Sequence, residues 1–208
     1  MRIIVFGATG GTGREVVRQG LAAGHSITSF VRNPGAVVTE HDRLSVAQGN
    51  VVNAQMVAEV IREHDVVISV LGVRTSQALR GDGTIISEGA RNIVGGMKLH
   101  GVRRLLFVTS FGVSADVFWP EKLLLKTLLK RLFQDNLAQE ALIRESGLDW
   151  TIVRPARLTS GPETGDYKTG EHLMIGPFSH IDRSDVADFL VRNVENPDTV
   201  RRTLNLSR

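Results

Sequence analysis

Short apolar runs alternate with longer amphipathic stretches along most of this chain. The runs are rich in Val, Ile and Phe and are apolar throughout, as expected for strands that are buried on both faces. The longer stretches repeat apolar residues at helical spacing. The predicted strands are 2–6, 26–31, 44–48, 66–71, 104–109 and 150–155, and the predicted helices are 13–23, 54–62, 84–100 and roughly 121–146.

This alternation predicts an α/β fold with a Rossmann-type, doubly wound parallel sheet in one domain, residues 1–208. Near the end, 181–194 predicts one more helix, with Asp182 or Ser184 as its cap, and 202–206 predicts a last strand. Segment 156–181 is rich in Gly and Pro and is predicted to be irregular. Because it follows the carboxyl end of a strand, it is expected, with 111–120, to select the acceptor.

Composition narrows the class of protein further. The chain has no cysteine, which favours a reducing, cytoplasmic location. Neither a signal-peptide pattern nor an apolar run long enough to cross a bilayer is present, so no membrane association is expected. The six histidines lack ligand spacing, which predicts no metal site. One tyrosine and two tryptophans provide no aromatic platform for nucleic acid.

The stretch FGATGGTG joins the first predicted strand to the first helix and carries the chemistry. Gly7, Gly10 and Gly13 form G-x-x-G-x-x-G. Glycine permits the tight turn and lets a pyrophosphate approach the backbone, while the helix start offers N–H groups and a positive dipole end. A P-loop, G-x-x-x-x-G-K-[ST], is excluded because Thr12 stands five residues after Gly7, where the motif has glycine, and no lysine follows. The strict G-x-G-x-x-G also fails, because the sixth residue counted from Gly11 is Val16. The turn therefore predicts dinucleotide binding.

The residue after the second strand selects the coenzyme. NAD enzymes place Asp or Glu there for the ribose 2′-hydroxyl, whereas an arginine accommodates the 2′-phosphate of NADP. This chain has Arg32 and no acid in SFVRNPG. Since a guanidinium can bind phosphate in bidentate fashion, NADP(H) is the predicted cofactor; the alternative is a solvated strand-end charge.

With these motifs, the chain resembles the NADPH-dependent flavin reductase / biliverdin-IXβ reductase family, an NmrA-like group of atypical short-chain dehydrogenases. The likeness covers nearly the whole length. Its most specific block is SEGARNIVGGMKLHGVRRLLFVTS, supported by GATGGTG, RESGLDWTIVRPARL and IDRSDVADF.

The resemblance implies which residues meet the coenzyme. Besides the three motif glycines, Thr9, Gly11 and Thr12 would hold the pyrophosphate, and Arg32 the 2′-phosphate. The remaining contacts are implied for the adenine (Asn50, where the family usually has Asp, and Val51), for the ribose and phosphates (Leu71, Gly72 and Arg74) and for the nicotinamide (Thr109, Ser110 and Pro155).

The proton donor of the wider superfamily is missing. Typical members use Tyr-x-x-x-Lys, but the single tyrosine, Tyr167, is not followed by such a lysine. Hydride transfer to a flavin requires stacking and orientation more than acid–base chemistry. Ser110 is the predicted catalytic polar group, donating to the nicotinamide amide or to the acceptor; the alternative is a hydroxyl that caps a strand end.

The acceptor pocket differs from that of the family's mammalian members, which have two histidines where this chain has Asn136 and Arg157. That difference disfavours biliverdin more than FMN or riboflavin. Arg157 is predicted to pair with a flavin phosphate, or else to be a surface charge. Phe111 and Tyr167 complete the predicted acceptor contacts, with a plain surface tyrosine as the alternative.

Two functions remain at this stage. The first is an NADPH-dependent oxidoreductase acting on a flavin or a similar planar acceptor as a monomer or weak homo-oligomer. The second is an NADP(H)-binding redox sensor without turnover, for which the Leu/Lys-rich helix 121–133 would be the partner surface; a helix packed on the sheet is the alternative. The pairs Arg103–Arg104 and Arg201–Arg202 are predicted to be solvated.

Overall fold

Ten strands and five α-helices form the part of the chain that the structure describes. The structure is a computed structural model, and it describes residues 1–72, 84–109, 130–176 and 178–208. The strands are β1 Arg2–Phe6, β2 Ser26–Val31, β3 Leu44–Gln48, β4 Val66–Ser69, β5 Arg104–Val108, β6 Asp149–Pro155, β7 Arg157–Thr159, β8 Lys168–Gly170, β9 His180–Asp182 and β10 Arg202–Ser207. The helices are α1 Gly11–Ala22, α2 Ala54–Ile61, α3 Thr84–His100, α4 Lys130–Arg144 and α5 Arg183–Arg192.

Eight of these strands form one sheet in the order β3-β2-β1-β4-β5-β6-β10-β8. Neighbours from β3 to β10 run parallel, and β8 pairs antiparallel with β10 at one edge. The chain reverses its direction across the sheet between β1 and β4, which is where doubly wound sheets bind ligands. Strands β7 and β9 form a separate parallel pair.

Helices cover both faces of the sheet, and the core lies in two layers. Along β1, Ile3 and Val5 face the layer shared with α1 and α5, whereas Ile4 and Phe6 face the layer shared with α2, α3 and α4. All four side chains are fully buried. A strand covered on both sides has no solvent-facing positions, so its sequence is continuously apolar. The predicted α/β, doubly wound fold is thereby confirmed.

Segment 156–181 is more ordered than its sequence predicts. It contains β7, β8 and β9, each three residues long. Runs this short carry no usable periodicity, and their pairing partners are distant in sequence: β7 pairs with β9, and β8 pairs with β10. The prediction of an irregular segment was wrong at these positions.

Arg104 also departs from its prediction, because it is part-buried instead of solvated. Its guanidinium donates to the carbonyl oxygens of Asn193 and Val194 at 2.6 and 3.1 Å, just past the end of α5. It also donates to the carbonyl oxygen of Asp149 and to the hydroxyls of Thr151 and Thr199. Burial lowers the pKa of Arg104 to about 10, which leaves it charged at neutral pH. Arg104 therefore joins β5, β6 and the end of α5.

Most of stretch 121–133, which is predicted to be a Leu/Lys-rich helix, lies outside the described residues, as does segment 111–120. In the parts of the chain that are described, no helix combines the length and apolar character needed to cross a membrane. The described His, Asp and Glu side chains likewise form no cluster of three that could hold a metal ion.

Candidate functional site

The glycine turn after β1 brings the start of α1 against the end of the strand. Gly7 has a φ of +87°, a conformation that strains any residue with a side chain. At Gly13, a Cβ atom would lie 2.2 Å from the carbonyl oxygen of Gly7, so only glycine fits between helix and strand. The N–H group of Gly10 donates to that same carbonyl oxygen at 3.0 Å and closes the turn.

The first turn of α1 is open to an anion. Gly10 is its N-cap, is extended, and provides no side-chain hydrogen bond to the helix start. Gly10 and Gly11 are exposed, Thr9 is half-buried and Thr12 is buried. The first turn has no acidic residue, so the positive end of the helix dipole is not neutralised from within the helix. This arrangement suits the pyrophosphate of a dinucleotide.

The ends of β2 and β3 provide the neighbouring groups. Arg32 follows β2 with an exposed side chain, beside a tight turn in which the side chain of Asn33 accepts from the N–H group of Gly35. After β3, the exposed Asn50 accepts a hydrogen bond from the N–H group of Val52 through Oδ1 at 3.3 Å. That oxygen keeps a second lone pair for an adenine amino group.

Val51 and Leu71 both lie against α3. The carbonyl oxygen of Val51 accepts from Nδ2 of Asn92 in α3 at 2.9 Å. Gly89 of α3 lies against both side chains, since a Cβ atom there would stand 2.9 Å from Val51 and 3.2 Å from Leu71. Gly72 follows as an exposed residue. Arg74 lies outside the described residues, so its predicted contact stays a prediction.

Thr109 and Pro155 mark the carboxyl ends of β5 and β6. Pro155 is buried and is the last residue of β6, and the N–H group of Thr109 donates to the carbonyl oxygen of Val153 at 2.9 Å. Ser110 and Phe111 fall outside the described residues. The described site residues predicted for the coenzyme thus lie at or just past the carboxyl ends of β1 to β6, at one end of the parallel strands.

A buried ion pair holds α4 against the carboxyl ends of β5 and β6, and the sequence did not predict it. The Glu140 side chain in α4 has no exposed surface and receives bonds from three residues: Thr109 at 2.9 Å, Arg144 at 2.6 Å and Arg154 at 2.9 and 2.5 Å. Burial alone raises the pKa of Glu140, but the hydrogen bonds and charge of Arg154, with Thr109 and Arg144, outweigh it and hold the pKa below its ordinary value. Glu140 is therefore a carboxylate at neutral pH. An arginine inside an apolar strand was the available signal, because a buried charge needs a partner.

The three described acceptor candidates have different surroundings. Asn136 is 7% exposed and lies one helical turn before Glu140. Arg157 begins β7 and is exposed. Tyr167 packs against α5: its hydroxyl donates to Asp188 at 2.8 Å and its ring contacts Phe189 edge-on. Burial and the bond to Asp188 raise the pKa of Tyr167 well above its ordinary value. These contacts anchor the segment of Tyr167 to α5, so Tyr167 is not a plain surface tyrosine. Its predicted contact with the acceptor stays a prediction.

Side chains at the start of α5, within the motif IDRSDVADF, form hydrogen bonds with residues of segment 156–181. Asp185, which is fully buried, accepts from the N–H group and hydroxyl of Thr164 at 2.8 and 2.9 Å and from the N–H group of Gly165. Asp182 occupies the predicted N-cap position, but its carboxylate accepts from the hydroxyl of Thr159 instead of capping the helix. The Ser184 hydroxyl donates to the carbonyl oxygen of Gly161, so it is not a cap either.

The comparisons with known proteins agree with this geometry. A family described as NAD(P)H-binding matches residues 7–197, from the first glycine of the turn to beyond α5. This chain belongs to that NAD(P)H-binding family. Its coenzyme is therefore NAD(P)H, and the prediction of a nicotinamide dinucleotide is confirmed.

Individual relatives of this NAD(P)H-binding chain are distant. The photosystem II assembly factor Ycf39 of Synechocystis is 26% identical over 98% of this chain and 61% of its own length. An uncharacterized chloroplast protein of Arabidopsis thaliana is 29% identical over 79% of this chain and 62% of its own length. The chain thus spans about three-fifths of these curated relatives. Among solved structures, the anaerobillin reductase ChuY of Escherichia coli O157:H7 superposes with a TM-score of 0.82 at 21% identity, covering 99% of this chain and 96% of ChuY, which shows a shared fold.

Proposed function

We propose that this protein is an NADPH-dependent reductase of a flat, conjugated acceptor, with a flavin such as FMN or riboflavin as the favoured acceptor. Bound NADPH supplies a hydride to the acceptor and leaves as NADP⁺, and any further proton that the reduced acceptor takes comes from water. The chain's own residues bind, orient and shield the two partners.

The observation that carries this proposal is that two candidate proton donors among the described residues, Glu140 and Tyr167, are already engaged in hydrogen bonds. Glu140 is held as a carboxylate by Arg154, Arg144 and Thr109. The hydroxyl of Tyr167 donates to Asp188 and has a raised pKa. Glu140 therefore has no proton to donate at neutral pH, and the proton of Tyr167 is shared with Asp188. A flavin needs no such acid from the protein, so it fits this site better than a ketone does.

Each region of the site then has a role. The uncapped start of α1 binds the pyrophosphate, and Arg32 binds the 2′-phosphate and so favours NADPH over NADH. Thr109, fixed by Glu140, supports the nicotinamide end together with Pro155, and Ser110 orients the nicotinamide amide or the acceptor. Asn136, Phe111 and Arg157 contact the acceptor from α4 and from the two acceptor segments, 111–120 and 156–181.

A second candidate function is an NADP(H)-binding regulatory protein that does not turn over. It is favoured by the name of the Synechocystis relative, which is that of an assembly factor. In that case the predicted helix 121–133 is the partner surface. The neighbour named as an anaerobillin reductase instead favours an enzyme and makes biliverdin the second acceptor to test.

One assay separates these functions. Purified protein is mixed with NADPH and, in turn, with FMN, riboflavin, a quinone and biliverdin, and absorbance at 340 nm is followed. We expect NADPH oxidation with a flavin, and slower or no oxidation with biliverdin because Asn136 and Arg157 replace histidines. Tight NADPH binding with no turnover on any acceptor would contradict the reductase and support the regulatory protein.

A further inference from the structure

The side chain of Arg183 reaches from α5 to the exposed start of α1. A Cβ atom built on Gly11 would lie 2.6 Å from Cδ and 2.9 Å from Nε of Arg183, so the arginine lies directly across this glycine. Gly11 is therefore needed for contact with another element, not for its own backbone conformation. The contact brings a guanidinium to the turn that binds the pyrophosphate.

Arg183 uses only one edge of its guanidinium within the protein. Nη1 donates to the carbonyl oxygen of Thr159 at 2.9 Å and to the hydroxyl of Ser160 at 3.0 Å. In the described parts of the chain, Nε and Nη2 have no hydrogen-bond partner. The two carboxylates that neighbour it in sequence are engaged elsewhere: Asp182 accepts from Thr159, and Asp185 from Thr164 and Gly165.

A cation at this position is electrostatically unfavourable without an anion. The start of a helix carries the positive end of its dipole, and α1 has no acidic residue in its first turn to offset a second positive charge. An anion beside the N–H groups of α1 would attract both the helix start and the free edge of Arg183. A guanidinium edge suits two phosphate oxygens.

We infer that Arg183 is a pyrophosphate-binding residue of the coenzyme site and that it connects the coenzyme to the acceptor segment. The inference rests on the coenzyme site of the proposed function. Its second part follows from the other edge of the guanidinium, which holds Thr159 and Ser160 at the end of β7. Coenzyme binding then fixes the beginning of segment 156–181 before the acceptor arrives.

Two variants and four ligands test the first part by isothermal titration calorimetry. ADP carries the pyrophosphate without a 2′-phosphate, and 2′-AMP carries the 2′-phosphate without a pyrophosphate. We expect Arg183→Gln to lower the affinity for ADP, NADH and NADPH by about tenfold or more and to leave the affinity for 2′-AMP unchanged. Arg32→Gln should lower the affinity for NADPH and 2′-AMP and leave the affinity for ADP and NADH unchanged.

The matched control is Arg18→Gln. Arg18 is an arginine of α1 that pairs with Glu15 and Glu163, away from the glycine turn, and its loss should leave all four affinities unchanged. Arg183→Lys retains a charge and should bind ADP more tightly than Arg183→Gln. Thermal unfolding without ligand verifies that each variant is folded.

Hydrogen exchange tests the second part. NADPH should slow amide exchange over 159–165 in the wild type and much less in Arg183→Gln at a saturating coenzyme concentration. If Arg183→Gln binds ADP like the wild type, or if NADPH protects this segment equally in both, the inference is overturned and the reductase proposal stands. A wild type that binds no NADPH would overturn both. If Arg183→Gln has the expected effects on binding and exchange but the wild type does not reduce a flavin, only the reductase proposal is overturned.

Discussion

Glu140 illustrates at the residue scale how one buried charge fixes an edge of the site. Its carboxylate joins α4 to the ends of β5 and β6 through Thr109 and Arg154. Removing one member of such a pair leaves the other charge buried without compensation, which costs far more than losing a surface ion pair. The position of Thr109 therefore depends on Glu140, although Glu140 itself is not placed in contact with coenzyme.

Glu140→Gln is expected to lower the free energy of unfolding by about 3–5 kcal/mol at pH 7, because glutamine keeps the shape but removes the charge that Arg154 needs. Urea unfolding measures this. Glu145→Gln, an exposed residue just past α4, is the control and should stay within about 0.5 kcal/mol of the wild type.

The same pair predicts a pH dependence. The folded pKa of Glu140 lies below its ordinary value of 4.5, so its stabilisation is complete above about pH 4.5 and is lost as the pH falls through the folded pKa. The stability difference between the wild type and Glu140→Gln should therefore shrink on acidification in that window. A difference that stays constant down to pH 3 would contradict the assignment.

At this scale the sequence indicated candidate coenzyme-binding groups that follow a known spacing, and it missed groups whose partners lie on distant elements. The glycines and Arg32 follow a recognisable spacing around a strand end. Glu140 and Arg183 have no such spacing, since their partners lie on other elements. The sequence likewise does not reveal that Tyr167 has Asp188 as its partner.

At the scale of elements, the first strand, turn and helix act as one unit. The carbonyl oxygen of Gly7 receives the N–H group of Gly10 and faces the Cα of Gly13 with no room for a methyl group. The unit positions the helix start relative to the sheet edge. Small changes of this geometry therefore affect both stability and coenzyme binding.

Gly13→Ala is expected to destabilise the protein by about 1–3 kcal/mol and to abolish measurable NADPH binding, because the added methyl group forces α1 away from β1. Gly95→Ala is the control: it lies inside α3 with nothing within 4 Å of an added Cβ atom. That variant should be unchanged or more stable by up to about 1 kcal/mol. Urea unfolding and calorimetry provide both readouts, and equal behaviour of the two variants would contradict this account.

Elements buried on both sides could be predicted nearly to the residue, because continuous apolar runs leave little choice of structure. Helix α1 begins at Gly11 rather than at the predicted Gly13, and β4 ends at Ser69. Strands β7, β8 and β9 could not be predicted. Their order comes from pairing and from the side chains of α5, which are tertiary contacts.

At the scale of the whole molecule, Arg104 connects several elements at the amino ends of the parallel strands, opposite to the candidate site. Its five oxygen partners come from β6, from the residues after α5 and from the turn at Thr199. A single side chain thus satisfies carbonyl groups that the end of α5 leaves unpaired. Arg104 therefore stabilises the end of the sheet that lies away from the candidate coenzyme site.

Arg104→Met is expected to lower the free energy of unfolding by about 3 kcal/mol or more, because it leaves several buried oxygen atoms without a donor. Arg103→Met is the control, since that neighbouring side chain is exposed and pairs with Asp149 alone; it should unfold close to the wild type. NADPH affinity of the folded Arg104→Met protein should be unchanged. A loss of NADPH affinity without a loss of stability would contradict the conclusion that Arg104 acts away from the coenzyme site.

The antiparallel edge strand β8 has a consequence for how the molecule is assembled during synthesis. Its partner in the sheet is β10, which leaves the ribosome later than β8 does. The loop that precedes β8 is tied to Asp185, which also emerges later. Nascent chains must therefore wait with this stretch unpaired, so the region proposed to choose the acceptor is among the last to mature.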